Sequence, residues 1–471
     1  MRILSPGRVG RWAAGVLAFL VVASALGAAE LEWKIGLARV KITPERPIFL
    51  AGYAARNKPF EKVESDLYVK ALALEDRAGQ RGVIVTSDLI GFSAAVAEPI
   101  CERLREKAGL KREQILLNSS HTHTGPALSL NPSARDSMSA GDAQRTVEYT
   151  RQLQDKVVEV VLRALEKMEP ARLSRGSGVV HFVMNRREFT PGGVILGNNP
   201  RGLADRSVPV LRGDTPEGKP LVVLFGAAAH NTTLTPQHYI ICGDYAGFAQ
   251  SHIEERYPGM QAMFLLGCAG DANPYPRGTL ELSREHGASL GKEVCRVLEG
   301  KLEPVRGPLR IAFDRVELPL QPPPPREQLE RWAKQGPSYR QPLARQMLAA
   351  LDKGQKLPDR YTCPVTVWQF GPDLTLVGLP GEVVVDYVIL LEKALGPNRL
   401  WVAGYCNDVF GYLPSARVLA EGGYETRGLT SGGTGLFAPN AQDVLVEKVR
   451  ELAQKAGREL PPEVRDASSG R

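Results

Sequence analysis

Residues 114–126 read QILLNSSHTHTGP, and the fold follows from how this stretch is connected to the chain before it. Ile115, Leu116 and Leu117 predict a short buried strand. Asn118-Ser119-Ser120 carries the chain off its end into His121-Thr122-His123, and Gly125-Pro126 turns it. Upstream, 81–86 (RGVIVT) predicts another buried strand, which delivers Ser87-Asp88, and a helix over about 95–108 joins the two. Strand, helix, strand is a βαβ-like unit with Asp88 and His121 past its strand ends, where α/β proteins build their sites. On an extended backbone, residues two apart share a side. His121 and His123 can therefore face one pocket, one as a metal ligand and the other as a second ligand or an acid/base group. Taken alone, the tripeptide also fits two hydrogen-bonded loop histidines. Asp88 can orient a histidine or simply cap the turn that follows it.

The other strands repeat this pattern. Residues 34–42 (KIGLARVKI) and 67–75 alternate as strands, and the helix predicted over 143–167 is amphipathic, preceded by a long polar loop over 127–142. Residues 171–183 predict two strands about a Ser174-Arg175-Gly176-Ser177 turn, leading to Asn185-Arg186-Arg187-Glu188. The apolar run 220–229 (PLVVLFGAAA) ends in His230, and 262–266 runs into Gly267-Cys268-Ala269-Gly270-Asp271-Ala272-Asn273-Pro274. That loop carries glycines where a backbone must approach something closely, and it lacks the Lys-Ser/Thr ending of a P-loop. Helices are expected over 251–257 and 282–302, and a strand over 309–319. Gln321-Pro322-Pro323-Pro324-Pro325 is a stiff connector and the one candidate internal boundary, followed by a charged helical excursion over 326–356. After strands over 363–370 and 374–379, Pro380-Gly381-Glu382 is expected to open a helix running to about Leu395 and to hold Glu382 at its N-terminus. A last strand over 400–405 is followed by Asn407-Asp408-Val409-Phe410-Gly411-Tyr412-Leu413-Pro414 and then Gly422-Gly423-Tyr424-Glu425. Alternating strands and helices argue for one large α/β domain, mixed β-sheets flanked by helices.

Composition bounds the class. The 471 residues are 43% hydrophobic and 24% charged, which suits a soluble globular protein with a large core. Arg2, Arg8 and Arg11 precede an apolar run from Trp12 to about Leu26 and then Gly27-Ala28-Ala29, the order of a secretory signal peptide over 1–29. The run falls short of the roughly 20 apolar residues a membrane span needs, so cleavage and a secreted or periplasmic location are expected, with an uncleaved anchor as the alternative. The formal charge of +7 loses three arginines with the leader, and the remaining basic residues alternate with acidic ones without aromatic interleaving. Nucleic acid is excluded as a partner. The six cysteines show no CxxC or zinc-finger spacing, and their pairing cannot be read from position. The segment 456–471 reads as a flexible tail, which leaves 30–455 as the functional domain.

In series, these motifs resemble the neutral/alkaline non-lysosomal ceramidases, zinc amidases that hydrolyse N-acylsphingosine. The resemblance rests on His121 to Pro126, Asn185-Arg186, His230, Gly243-Asp244, Gly270 to Pro274, Pro380 to Glu382 and Tyr424-Glu425, all in the family's order. It implies the fold of the family's N-terminal domain and a Zn2+ cofactor held by His121, His230, Glu382 and Tyr424. It also implies His123 as acid/base and Arg186 as the cation that stabilises the tetrahedral oxyanion. The substrate it implies is a small molecule or a lipid, which would bring peripheral contact with a membrane. Two departures matter. Asn273 stands where ceramidases carry a serine taken as catalytic; an amide is no nucleophile, but it can donate a hydrogen bond to a carbonyl or an oxyanion. The family's C-terminal immunoglobulin-like domain has no counterpart after Tyr424-Glu425. Three functions are therefore on the table: a zinc amidase of a ceramide-like bond, a zinc hydrolase of the same fold acting on another ester, amide or sugar-linked bond, and a non-catalytic protein that keeps the metal for structure.

Overall fold

In the computed structural model, residues 32–131 and 138–462 are described. The expected leader over 1–29 and most of the expected tail lie outside them. Two sheets pack face to face, with helices on both outer surfaces. The larger has nine strands: eight run from Gln261–Leu266 at one edge through Pro220–Ala227, Ser207–Asp214, Glu169–Val179, Trp33–Lys41, Tyr68–Asp76 and Arg81–Ser87 to Ile115–Ser119 at the other, and the short Glu303–Val305 pairs with Glu169–Val179 beside this path. The smaller has four: Leu309–Pro319, Arg360–Phe370, Leu374–Gly378 and Leu400–Ala403.

The alternation within each strand explains the layering. Val83, Val85, Ile115 and Leu117 face the helices Ala94–Ala108 and Ala140–Glu166, while Ile84 and Leu116 point the other way, into a core shared with Trp368, Leu376 and Trp401 of the second sheet. Strands covered on both faces read as unbroken apolar runs, which is why these short segments stood out in the sequence. The helices Asp386–Leu395 and Ala441–Lys455 close the outside of the smaller sheet through Leu391, Leu395, Leu445 and Val449.

Three parallel strand pairs, each joined by a helix, set the position of the site. Arg81–Ser87 pairs with Ile115–Ser119, Pro220–Ala227 with Gln261–Leu266, and Leu374–Gly378 with Leu400–Ala403. The chain leaves the carboxyl ends of these pairs toward His121, His230, the Gly270 loop, Glu382 and Tyr405, so the ends converge on one place.

Three expectations need correction here. Residues 171–183 contain no turn at Ser174–Ser177: Glu169–Val179 is one continuous strand. A Cβ on Gly176 would stand 2.6 Å from Val297, and one on Gly178 would stand 2.3 Å from Glu293, so these glycines admit a packed helix rather than bend the chain. The proline run is not a domain boundary either. Gln321 N–H donates to the Leu436 carbonyl at 2.7 Å, and the helices Arg326–Gln335 and Gln341–Asp352 form a small cluster packed on Leu436. Finally, Pro380-Gly381-Glu382 does not open a helix. Glu382–Val383 is a two-residue strand and the helix begins at Asp386. All six cysteines are buried free thiols, and among the described residues no helix is long and apolar enough to cross a membrane.

Candidate active site

His121 sits just beyond its strand with a positive φ of 61°, so the backbone is not extended there as the sequence suggested. The two histidines still converge, because Thr122 makes a parallel bridge with Asn231 and His123 N–H donates to the Asn231 carbonyl at 3.2 Å. This ties the His121-Thr122-His123 segment to His230-Asn231. Ring centroids lie 4.9 Å apart for His121 and His123, 4.8 Å for His121 and His230, and 5.8 Å for His123 and His230. One nitrogen from each of the three rings falls within 4.8 Å of the others, and all three are buried as a group.

Hydrogen bonds fix the tautomers of two of these rings. His121 Nδ1 meets the Ile90 carbonyl at 2.5 Å, and His230 Nδ1 meets the Ala269 carbonyl at 2.7 Å. A carbonyl can only accept, so each Nδ1 carries a proton and, in a neutral ring, leaves Nε2 with its lone pair. Both Nε2 atoms point at one carboxylate oxygen, Glu382 Oε2, at 3.2 Å from His121 and 3.1 Å from His230. Burial, helped by the Arg186 charge, pushes the His230 pKa down to about 3, so this ring stays neutral. Burial works against ionised Glu382, but its two histidine neighbours outweigh it and hold the carboxyl well below its ordinary value. A buried carboxylate flanked by two ring nitrogens calls for positive charge between them, either a proton on Nε2 or a metal ion, and two imidazoles with a carboxylate suit zinc. A carbonyl accepting from Nδ1, as Ile90 and Ala269 do here, is the partner that orients a metal-bound histidine.

Glu382 reaches this place by its short strand, which pairs in parallel with Tyr412–Leu413 and so puts Tyr412 beside it. The Tyr412 hydroxyl lies 3.4 Å from His230 Nε2 and accepts from Arg186 Nη2 at 2.9 Å. Tyr424, the phenol named from the sequence, is set differently. Its hydroxyl accepts from Arg427 Nη1 at 2.5 Å and its ring stacks edge-on against Tyr412, with centroids 5.5 Å apart. Of these two phenols, Tyr412 rather than Tyr424 brings its hydroxyl to the histidine cluster. Tyr412 lies farther past the last strand than His121 and His230 lie past theirs, and the Tyr-Glu dipeptide drew attention away from it.

Arg186 lies within the strand Val183–Thr190, not past its end. Its Nε donates to Glu425 Oε1 at 2.9 Å, and its Nη1 approaches Asn273 Oδ1 at 3.4 Å. Burial opposes its charge, but Tyr412 and Glu425 more than compensate and hold the guanidinium well above its ordinary value. Arg187, also buried, takes the other Glu425 oxygen at 2.6 Å and Glu421 at 3.0 Å. Asn273 Oδ1 also accepts from Thr232 Oγ1 at 3.1 Å, so the carbonyl side of this amide is held and its NH2 side is left as donor.

His123 has both ring nitrogens buried and without a hydrogen-bond partner among the described residues. Burial, reinforced by the neighbouring histidines, holds its pKa well below the ordinary value. Tyr53 packs edge-on against it, with centroids 4.6 Å apart. Asp88 neither orients a histidine nor caps the following helix: it accepts from Tyr68 N–H and Gln250, and the Ala94 N–H goes to Asp408. The close approach expected in the 267–274 loop is at Gly270, where a Cβ would stand 2.6 Å from the Glu382 carbonyl oxygen.

Known proteins align with this arrangement. The sequence model for the neutral/alkaline non-lysosomal ceramidase N-terminal region matches residues 33–309, a span holding His121, His123, Arg186, His230 and Asn273. Neutral ceramidase A of Dictyostelium discoideum is 23% identical over 271 residues, 53% of this chain and 37% of the relative. The neutral ceramidase of Drosophila melanogaster is 24% identical over 276 residues, 55% of this chain and 38% of the relative. The match thus spans less than half the length of these relatives. The crystal structure of neutral ceramidase from Pseudomonas aeruginosa superposes with a TM-score of 0.69 at 22% identity, over 92% of this chain and 76% of that one. A ceramidase structure complexed with C2 gives a TM-score of 0.68 at 20% identity, over 92% and 77%. With its family match covering more than half of the sequence, the chain belongs to the neutral/alkaline non-lysosomal ceramidase family.

Proposed function

We propose that this chain is an exported, zinc-dependent hydrolase of an N-acyl amide bond in a lipid of the N-acylsphingosine kind. The observation that carries the reading is the approach of His121 Nε2 and His230 Nε2 to one oxygen, Glu382 Oε2, at 3.2 and 3.1 Å, a buried arrangement that calls for positive charge between them and that a metal ion would supply. His121, His230 and Glu382 would hold zinc, with Tyr412 as the phenol at hand; Tyr424 stands one ring farther out. Zinc held there supplies Lewis acidity at neutral pH in a buried site.

The chain's own groups have separable tasks. His123 offers an unpaired ring nitrogen beside the cluster and, kept neutral by burial, can take a proton from the attacking water and return it to the leaving nitrogen. Arg186, a cation fixed by Glu425 and Tyr412, is placed to stabilise charge developing on the carbonyl oxygen. Asn273 presents N–H donors to the same oxygen or to the amide. No side chain among these is a serine nucleophile, so attack by water is the route this set of residues supports.

The experiment is fatty-acid release from N-acylsphingosine by the zinc-loaded protein against the chelated protein. Zinc-dependent release supports the reading. A protein that holds zinc and releases nothing refutes this substrate, and Asn273 then favours the second reading, a zinc hydrolase of the same fold acting on a different acyl bond. For export, the mass of the mature N-terminus tests cleavage before Ala28 or Glu30.

A further inference from the structure

A cleft of about 960 Å3 lies at the end of the smaller sheet where Leu374–Gly378 and Leu400–Ala403 begin, while the other ends of those strands lead to Glu382 and Tyr405. Four arginines line it. Arg175 is neutralised by an ion pair with Glu303. The other three make no ion pair within 4 Å among the described residues, and Asp373 acts on Arg399 only from longer range. Among the same residues the Arg310 side chain makes no hydrogen bond, and the Arg399 side chain gives only Nη1, to the Pro372 carbonyl at 3.0 Å. Arg458 is half-buried and spends its donors on neutral oxygens: Nε on the Leu395 carbonyl at 3.0 Å, Nη2 on the Gly396 and Asn398 carbonyls at 2.8 and 2.9 Å, and Nη1 on Thr375 Oγ1.

These contacts orient the Arg458 guanidinium without cancelling its charge, and burial draws its pKa below the ordinary value. One unpaired carboxylate, Glu459, lines the same cleft, so three guanidinium groups stand against one acid. A partly desolvated cation without a counterion is unfavourable, and an anion entering the cleft relieves it. Arg310 and Arg399 keep most of their N–H groups free in the planar fork that matches phosphoryl oxygens. Pro397 and Leu460 supply an apolar wall beside them.

We propose that this cleft binds an organic phosphate, its phosphoryl oxygens on Arg310 and Arg399 next to the half-buried charge of Arg458, and its carbon skeleton against Pro397 and Leu460. The proposal is independent of the catalytic reading. The phosphate can come from a soluble ester or from a lipid headgroup, and the test separates them: glycerol phosphate titrated calorimetrically, and vesicles of phosphatidylglycerol sedimented with the protein against vesicles of phosphatidylcholine. Saturable binding of glycerol phosphate assigns a soluble ligand; selective binding of phosphatidylglycerol vesicles assigns a headgroup. In either case the exposed pair Arg310→Gln/Arg399→Gln should weaken binding about tenfold or more, with the melting temperature unchanged. The proposal is overturned if neither probe binds, or if the double variant binds as the parent does.

Discussion

Glu425 grips Arg186 by a buried ion pair, Oε1 to Nε at 2.9 Å, with 1% and 6% of the two side chains exposed. Its other oxygen takes Arg187, so one carboxylate balances two buried guanidinium groups. Glu425→Gln keeps the shape and removes the charge. It should lower stability by about 3–5 kcal/mol, because buried Arg186 loses its carboxylate counterion and Arg187 keeps only Glu421. It should also lower turnover about 10- to 100-fold while leaving zinc content at one per chain, since Arg186 touches Tyr412 and Asn273 rather than the histidine nitrogens. Urea unfolding, steady-state rates and metal analysis read the three effects. Full activity in the variant would remove Arg186 from the chemistry or Glu425 from its support.

The metal set is tested by contrast. His121→Ala and His230→Ala should each lose zinc and activity together, whereas His123→Ala should keep zinc and lose activity. Tyr412→Phe should impair turnover by about tenfold or more, and Tyr424→Phe should stay close to the parent, because Arg427 rather than the cluster holds the Tyr424 hydroxyl. Metal analysis and rates on the five proteins decide it; a Tyr424→Phe protein without zinc would restore the ligand set first read from the sequence.

Strand ends were legible because strands covered on both faces are short apolar runs, and the residue types just beyond them (His121, His230, Asn273, Glu382) carry chemistry. What was not legible depends on pairing. The bridge between Thr122 and Asn231, which makes the histidines converge despite the left-handed His121, joins segments over a hundred residues apart. The strand that sets Glu382 beside Tyr412 is only two residues long on each side, too short for periodicity to register. Gly176 and Gly178 misled in the opposite direction: glycine marks both turns and close packing, and only the helix carrying Glu293 and Val297 tells which.

Asp271 gives the pH dependence. Its carboxylate accepts from Val385 N–H at 2.8 Å and Asn185 at 3.2 Å, but full burial dominates and raises its pKa to about 7. The folded state then binds a proton more tightly than the unfolded chain. Stability of the zinc-free protein should be greatest near or below pH 4 as far as this group decides it, and should fall by a few kcal/mol as pH rises from about 4 to 7. Asp271→Asn should flatten that slope. Urea unfolding of chelated parent and variant between pH 5 and 8 is the check, and parallel slopes would show that Asp271 is ionised throughout.

Gly52 should prove as sensitive as a site residue although it carries no side chain. Its φ is +86°, a region that costs an L-residue roughly 1–2 kcal/mol, and a Cβ there would stand 2.4 Å from Cγ and Nδ1 of His123. The backbone cannot yield easily, because Ala51 N–H is bonded to the Gly125 carbonyl at 2.9 Å and Arg56 ties the Ala51 carbonyl at 2.9 Å. The ring must therefore move. Only the His123 side chain has to shift: the His121 ring is held at Nδ1 by the Ile90 carbonyl, and His230 and Glu382 are on other segments, so Gly52→Ala should retain zinc, lose roughly 1–3 kcal/mol of stability and lose turnover about as severely as His123→Ala. A double variant, Gly52→Ala with His123→Ala, separates the causes: relief of the clash should restore much of the stability but none of the rate. Parent-like turnover in the single variant would mean that the position of the His123 ring is not what the reaction depends on.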